Sequence, residues 1–180
     1  MPNWNYNSVD VHAPKDAVMA WLIPHYDTGD NATTIHHYLF NMHRLFPETF
    51  PADDPAGDKN WDYDWFVDNT GSKWAPEVYV SESEHADVTY LNYDTARSPN
   101  NLMLWRLHEK TGWLIRNDYE EEGMQFAGTF TCDEHGVTDE EHEYQTTCEI
   151  CEEKKPEEQY DEELDGLICN DCRKKRGSAQ

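Results

Sequence analysis

Toward its end the chain carries Cys148 and Cys151 two residues apart, then 17 intervening residues, then Cys169 and Cys172 at the same spacing. No other feature restricts the fold around it so sharply. Two residues between thiolates let each pair turn as a knuckle with both sulfurs on one ion, and a tetrahedron of four thiolates is the structural-zinc pattern. The segment between the pairs contains "EEKKPEEQYDEEL", almost wholly polar. Such a tail cannot bury enough apolar surface to offset roughly 1 kcal/mol or more of backbone entropy per ordered residue. One zinc ion, worth on the order of 10–16 kcal/mol, is expected to replace the core. Four protein ligands leave no open position, which points to a structural rather than a catalytic ion. An iron–sulfur cluster is the alternative that thiolates also allow.

Immediately after Cys172 come Arg173, Lys174, Lys175 and Arg176. Cations there suit the C-terminal end of a short helix. They form a candidate anion-binding or docking strip. The fifth cysteine, Cys132 in "TFTCDEHG", reads as a buried strand thiol, with a second metal site alongside His135 and His142 as the competing possibility.

The basic strip stands out because the chain as a whole has formal net charge -23. Residues 147–180 hold ten acids and six bases, leaving 27 acids and eight bases, net -19, in residues 1–146. A compact body of that length has a diameter of about 38 Å, and duplex DNA of equal length carries on the order of 22 phosphate charges. A surface so charged repels nucleic acid and attracts basic clefts that bind it, the alternative being a generically solvated acidic surface or a chain from a salty habitat. Seven Trp, ten Tyr and six Phe supply the bulk for a core despite a mean hydropathy of -0.95. No run of 18 apolar residues occurs, and the opening "MPNW" lacks the basic and apolar stretches of a signal peptide. The expectation is an intracellular protein in a reducing compartment, with no membrane association.

Two domains are expected: residues 1–146, acidic and α+β, and residues 147–180, the zinc-binding module. In the first, residues 5–14 alternate small polar with apolar side chains as a strand, and "KDAVMAWLI" predicts a helix ending at Pro24. "HYDTGDNATT" reads as loop and residues 35–42 as a strand. "NWDYDWFVDNTGSKW" places Trp61, Trp65 and Phe66 on one helical face, with Gly71 as the stop. Residues 87–96 alternate as a strand. A helix then starts with Ser98 as N-cap and Pro99 at its first position, burying Leu102, Leu104, Trp105 and Leu107 until Gly112. "WLIRNDYEE" and "GMQFAGTFTCDEHG" follow as strands joined at Gly123. The order β-α-β-α-β-α-β-β suggests a sheet layered with helices, and the ferredoxin-like arrangement of two β-α-β halves is the natural candidate.

Three separated stretches, "NTGSKW" (residues 69–74), "TARSP" (95–99) and "EEGMQFAG" (121–128), resemble the YubB-type ferredoxin-like family of phages, prophages and plasmids, as does the opening "MPNW". The resemblance covers about residues 1–136. It implies a ferredoxin-like fold, an origin on a mobile element and residence in the cytoplasm of a bacterial host; it implies no catalytic residues. These motif residues read mainly as structural, with a ligand pocket lined by Trp61, Trp65, Trp74 and Arg97 as the functional alternative.

Asp62, Asp64 and Asp68 near His85, and Glu120, Glu121 and Glu122, could bind a hard cation or act as acid and base, but such clusters arise by chance in a chain with 37 acids; His36, His37 and His43 could share a metal on a helix, and as a strand they point apart. No phosphate-cradling glycine loop, nucleophile elbow or HExxH pattern occurs, and no catalytic residue is assigned. The expectation is a binding protein, not an enzyme. Its acidic body would occupy the basic nucleic-acid-binding surface of a host protein, as a nucleic-acid mimic. The alternative is a nucleic-acid-binding zinc-module protein of phage replication or transcription, reading phosphates through Arg173, Lys174, Lys175 and Arg176.

Overall fold

The computed structural model describes residues 3–26, 35–81, 87–148, 150–155, 158–161 and 166–177. The chain divides into two compact units, Met1–His142 and Glu143–Gln180, each with its own buried cluster. No described helix is long and apolar enough to cross a membrane.

The first unit is an α+β body. Its chain order is β1 (Trp4–Val11), α1 (Lys15–Met19), β2 (Leu22–Tyr26), β3 (Ile35–Phe40), α2 (Met42–Leu45), α3 (Tyr63–Thr70), β4 (Glu77–Ser81), β5 (Thr89–Ala96), α4 (Asn101–Thr111), β6 (Ile115–Glu121), β7 (Phe126–Asp133) and β8 (Gly136–Glu143). The strands form one eight-stranded antiparallel sheet in the order β2-β3-β4-β5-β1-β6-β7-β8. Between β1 and β4 the chain passes through helices and skips over β5; between β5 and β6 it passes through α4 and skips over β1.

Period-two alternation decides which face each strand buries. Val9 and Val11 of β1, Leu91 and Tyr93 of β5, Ile115 and Tyr119 of β6, and Phe130 and Cys132 of β7 point inward. Met103, Leu104 and Leu107 of α4 close over them, so the helices lie on that face. Below α3, Trp65 meets Phe46 and Phe50 edge-on at 5.0 and 4.9 Å, the geometry that ring quadrupoles favour. The same inward face is polar at one end. Asn7 donates to Thr95 Oγ1 at 3.0 Å, and Asn117 donates to Asn7 Oδ1 and Asn101 Oδ1, each at 3.0 Å.

Several local expectations shift. The helix at Lys15 ends at Met19, and Pro24 lies inside β2. A proline is tolerated there because β2 is an edge strand. Trp61 precedes α3 and is half exposed, because Asp62 caps that helix by accepting from Trp65 N at 2.8 Å. Gly71, at φ 85, does end it. Helix α4 starts two residues later than expected, with Asn100 as N-cap. Ser98 instead donates to Gly71 O at 2.7 Å. The buried stripe rotates with the start, so Asn101, Met103, Leu104 and Leu107 face inward while Leu102 and Trp105 face solvent. Strands β4 and β8 were not foreseen. Most of the "HYDTGDNATT" loop, residues 27–34, lies outside the described residues, although His25 and Tyr26 belong to β2.

In the second unit β9 (Thr146–Thr147) pairs with β10 (Lys154–Lys155), and β11 (Glu158–Asp161) pairs with β12 (Gly166–Cys169). Strand β12 runs directly into α5 (Asn170–Gly177).

Candidate metal centre and acidic sheet face

Cys148 and Cys151 lie in the turn between β9 and β10. Glu152 N donates to Cys148 O at 2.8 Å, Cys148 N donates to Glu153 O at 3.1 Å, and Glu152 takes a positive φ of 57° to close the loop. Cys169 ends β12 and Cys172 lies in the first turn of α5, so three residues of helical advance bring the second pair onto one side. All four sulfurs lie within 4.8 Å of one another. Among the described residues this is the one group of three or more His, Cys, Asp or Glu side chains close enough to share an ion. Four thiolates at about 2.3 Å from a central ion stand about 3.8 Å apart in a tetrahedron, and Cys151 Sγ and Cys169 Sγ are 3.9 Å apart. The donor set therefore fits a metal ion.

Electrostatics favours a thiolate here as well. The Cys169 amide donates to Cys148 Sγ at 3.3 Å and, with the Cys151 and Ile150 amides, holds the Cys148 thiol down at about 6. Burial pushes Cys172 up to about 12 in the absence of a cation, so a metal has to supply the charge that ionises it. Cys148, Cys169 and Cys172 are buried, and Ile168 is the apolar side chain buried with them.

The basic strip lies on α5. Arg173, Lys174 and Lys175 are exposed on it, while the side chain of Arg176 lies outside the described residues. Cys132 is fully buried in β7, with burial raising its thiol to about 12. His135 is exposed in the turn that follows, and the His142 ring meets Thr129 Oγ1 at 3.0 Å. The three do not converge on a metal. His85 lies outside the described residues, as does the side chain of His36.

In the first unit the functional candidate is the sheet face that no helix covers. Pairing registers align Tyr79, Asn92, Ser8, Asp118 and Thr129 as one row across it, and Asp94, Tyr6 and Glu120 as the next. Adding Asp10, Glu77 and Asp133 gives, among the described residues of β4, β5, β1, β6 and β7, six carboxylates on this face against Arg116. Arg116 forks onto Asp118 at 3.0 and 3.1 Å. Asp118 is thereby held below the ordinary carboxylate range: burial opposes this, but the Arg116 guanidinium and the Thr129 hydroxyl outweigh it. Asp10, beside it, is raised by burial and by the Asp118 charge. The face thus holds more negative charge than its one guanidinium neutralises.

The motif stretches meet one another in the interior. Ser72 Oγ accepts from Ala96 N at 3.3 Å, and a Cβ on Gly71 would lie 2.9 Å from Pro99 O. Glu121, 1% exposed, accepts from the amides of Gly123 and Met124 and so shapes the β6–β7 turn. Gly128 lies against the Tyr119 ring. Of the expected pocket residues, Trp61 and Trp74 line a cavity of about 570 Å³, Trp65 lies in the core and Arg97 is exposed.

Sequence reasoning missed β8, whose eight residues are all exposed and include Asp139, Glu140, Glu141 and Glu143. It also missed Tyr79 and Glu77, although "EVYVS" has the alternation of a strand. Compared with protein-family models, curated proteins and solved structures, the chain matches none.

Proposed function

We propose that this is an accessory protein of a phage or mobile element whose acidic sheet face binds a host nucleic-acid-binding protein and inhibits or redirects it in the bacterial cytoplasm. The observation that carries the reading is the uncovered face with six carboxylates against one guanidinium. The carboxylates lie on neighbouring or alternate strands of one sheet face, so their fields add over a single surface. We read β4-β5-β1-β6 as a ferredoxin-like core; its support is a strand order and connections through helices like those of two split β-α-β halves, with β2 and β3 inserted in the first. The YubB-type resemblance supports the mobile-element origin. In this reading the protein binds and does not catalyse.

The ion is one structural zinc. Its support is the closed set of four thiolates and a sulfur spacing that fits a single ion. Metal analysis giving one zinc per chain in a colourless protein is the expected result; visible-range absorption from iron and sulfide overturns it.

The functional test is capture from host lysate. The bound protein should be basic and nucleic-acid-binding, should be displaced by DNA, and should dissociate as salt rises from 0.1 to 0.5 M. A complex indifferent to both DNA and salt refutes mimicry. The exposed Arg173, Lys174 and Lys175 favour a second reading, in which α5 contacts phosphates. A mobility shift on DNA or RNA at low salt, lost when these three become Ala, is the result that reading requires.

A further inference from the structure

Single exposed aromatics are ordinary, but several gathered in one concave patch mark a ligand groove or an interaction site. Trp4, Trp61, Trp74 and Tyr79 are 43%, 50%, 37% and 49% exposed, and all four line one cavity of about 570 Å³ in the first unit. The rings are fixed before any ligand arrives. Trp61 Nε1 donates to Lys73 O at 2.9 Å, and Trp4 and Trp74 pack edge-on at 6.3 Å. Carboxylates of Asp58, Glu77 and Asp94 share the lining, with His25 and His37 stacked at 4.6 Å and His37 Nε2 3.7 Å from Glu77. Among the described residues no Lys or Arg lines it. The two cations adjacent in sequence to lining residues turn elsewhere: Lys73 reaches over Tyr63, 5.9 Å from the ring centroid, and Lys59 meets Asp53 O at 2.6 Å.

Indole faces attract cations and carboxylates fork onto them, so both halves of the lining select for positive charge. The planar guanidinium satisfies both at once. It stacks on a ring and keeps two parallel N–H groups for a carboxylate, whereas an ammonium is strongly hydrated and does not stack. Partial burial raises Asp94, the direction that an incoming cation would reverse. The volume exceeds one side chain and suits an arginine with its flanking residues.

We infer that this cavity is the arginine-binding subsite of the acidic face, receiving a guanidinium between Trp74 and its neighbouring rings and the Asp94 and Glu77 carboxylates. This rests on the reading that the face takes a basic protein, and it names the side chain that anchors that protein.

The test compares octa-arginine with octa-lysine, equal in charge, titrated against the full zinc-loaded chain with tryptophan fluorescence as readout. General attraction to an acidic surface treats the two peptides alike. The cavity predicts about tenfold tighter binding of octa-arginine at 0.15 M salt, with fluorescence quenching. Asp94→Asn and Trp74→Ala should each bring the two peptides to within about twofold of each other, by weakening octa-arginine more than octa-lysine. Asp94→Asn is an exposed, near-isosteric change, so it reads the site even if loss of Trp74 disturbs the fold. Equal wild-type affinities overturn the inference, as does a preference that survives both variants. Lysate capture separates the two proposals. A DNA-displaceable basic protein held equally by Asp94→Asn and wild type keeps the function and removes the subsite; an arginine preference without any such protein keeps the subsite and removes the function.

Discussion

Removing the metal should unfold the tail and leave the sheet untouched. Ordering the eight residues of α5 costs about 8–16 kcal/mol of backbone entropy at about 1–2 kcal/mol each. Burial of Ile168, the apolar side chain packed among the cysteines, returns about 1.5–3 kcal/mol. The shortfall is of the size that four thiolates on zinc supply, about 10–16 kcal/mol. The amide to watch is Cys169, whose N–H donates to Cys148 Sγ. The midpoints of these ranges leave about 3 kcal/mol in favour of the folded tail, so with metal bound its hydrogen exchange should be slowed by about 10²-fold. After chelation, or in Cys172→Ser, it should exchange at the random-coil rate, since every 1.4 kcal/mol lost is a factor of ten. Amides of β1, β5 and β6 should keep their protection, because their core is a separate cluster. Tail amides that stay protected after metal analysis finds no bound ion would refute the reasoning.

The first unit allows sharper single-site tests. Gly128→Ala would put a methyl 2.5 Å from Tyr119 Cζ and 2.8 Å from Glu140 O, a clash backbone cannot avoid; a loss of about 3 kcal/mol by urea unfolding is expected, and a loss under 1 kcal/mol contradicts the packing. Asp54 accepts from Lys59 N, Asn60 N and Asn60 Nδ2, which hold its carboxyl below the ordinary value despite burial. Its contribution is therefore present above about pH 4 and lost as pH falls through the lowered folded value; Asp54→Asn should cost about 1–3 kcal/mol at pH 7 and flatten the acid limb of stability against pH. Burial raises Tyr93, whose hydroxyl donates to Asn100 Oδ1 at 2.8 Å; burial together with the Asp139 carboxylate, which its hydroxyl meets, raises Tyr119. Absorbance at 295 nm should show both still protonated when exposed tyrosines ionise near pH 10, with the rest of the signal appearing only on alkaline unfolding.

How far the chain could be read depended on whether its signals were local. Cys148, Cys151, Cys169 and Cys172 were legible because ligand spacing is a covalent constraint that tertiary packing cannot rearrange. Strands β1, β5, β6 and β7 were legible because alternation survives in one-sided sheets. The start of α4 was not. Ser98 is a good N-cap by type, but it donates to Gly71 O across 27 residues of sequence, and Asn100, where the helix starts, accepts from the Tyr93 hydroxyl instead of capping with its side chain. Pro24 reads as a helix stop, yet its meaning in β2 follows from edge position, which only the assembled sheet defines.

The uncovered face poses a different problem. Alternation tells that Trp4, Tyr6, Asp10, Tyr79 and Asp94 oppose the core, but it is silent on which strands are neighbours. The sheet order sets β4 beside β5 and β5 beside β1, and so brings aromatics separated by some 70 residues to one cavity. In the sequence those aromatics look like core material, since an aromatic cluster that dense normally is. Trp65 obeys that expectation, edge-on against Phe46 and Phe50. Trp61, four residues earlier, escapes it because Asp62 caps α3 and leaves the indole outside the helix, pinned to Lys73 O. A single capping carboxylate thus separates a core tryptophan from one available to a ligand. Asp62→Ala should therefore reach the cavity as well as the helix: without its cap the first turn of α3 frays, Trp61 next to it loses its fixed position, and the preference for octa-arginine falls together with helix stability.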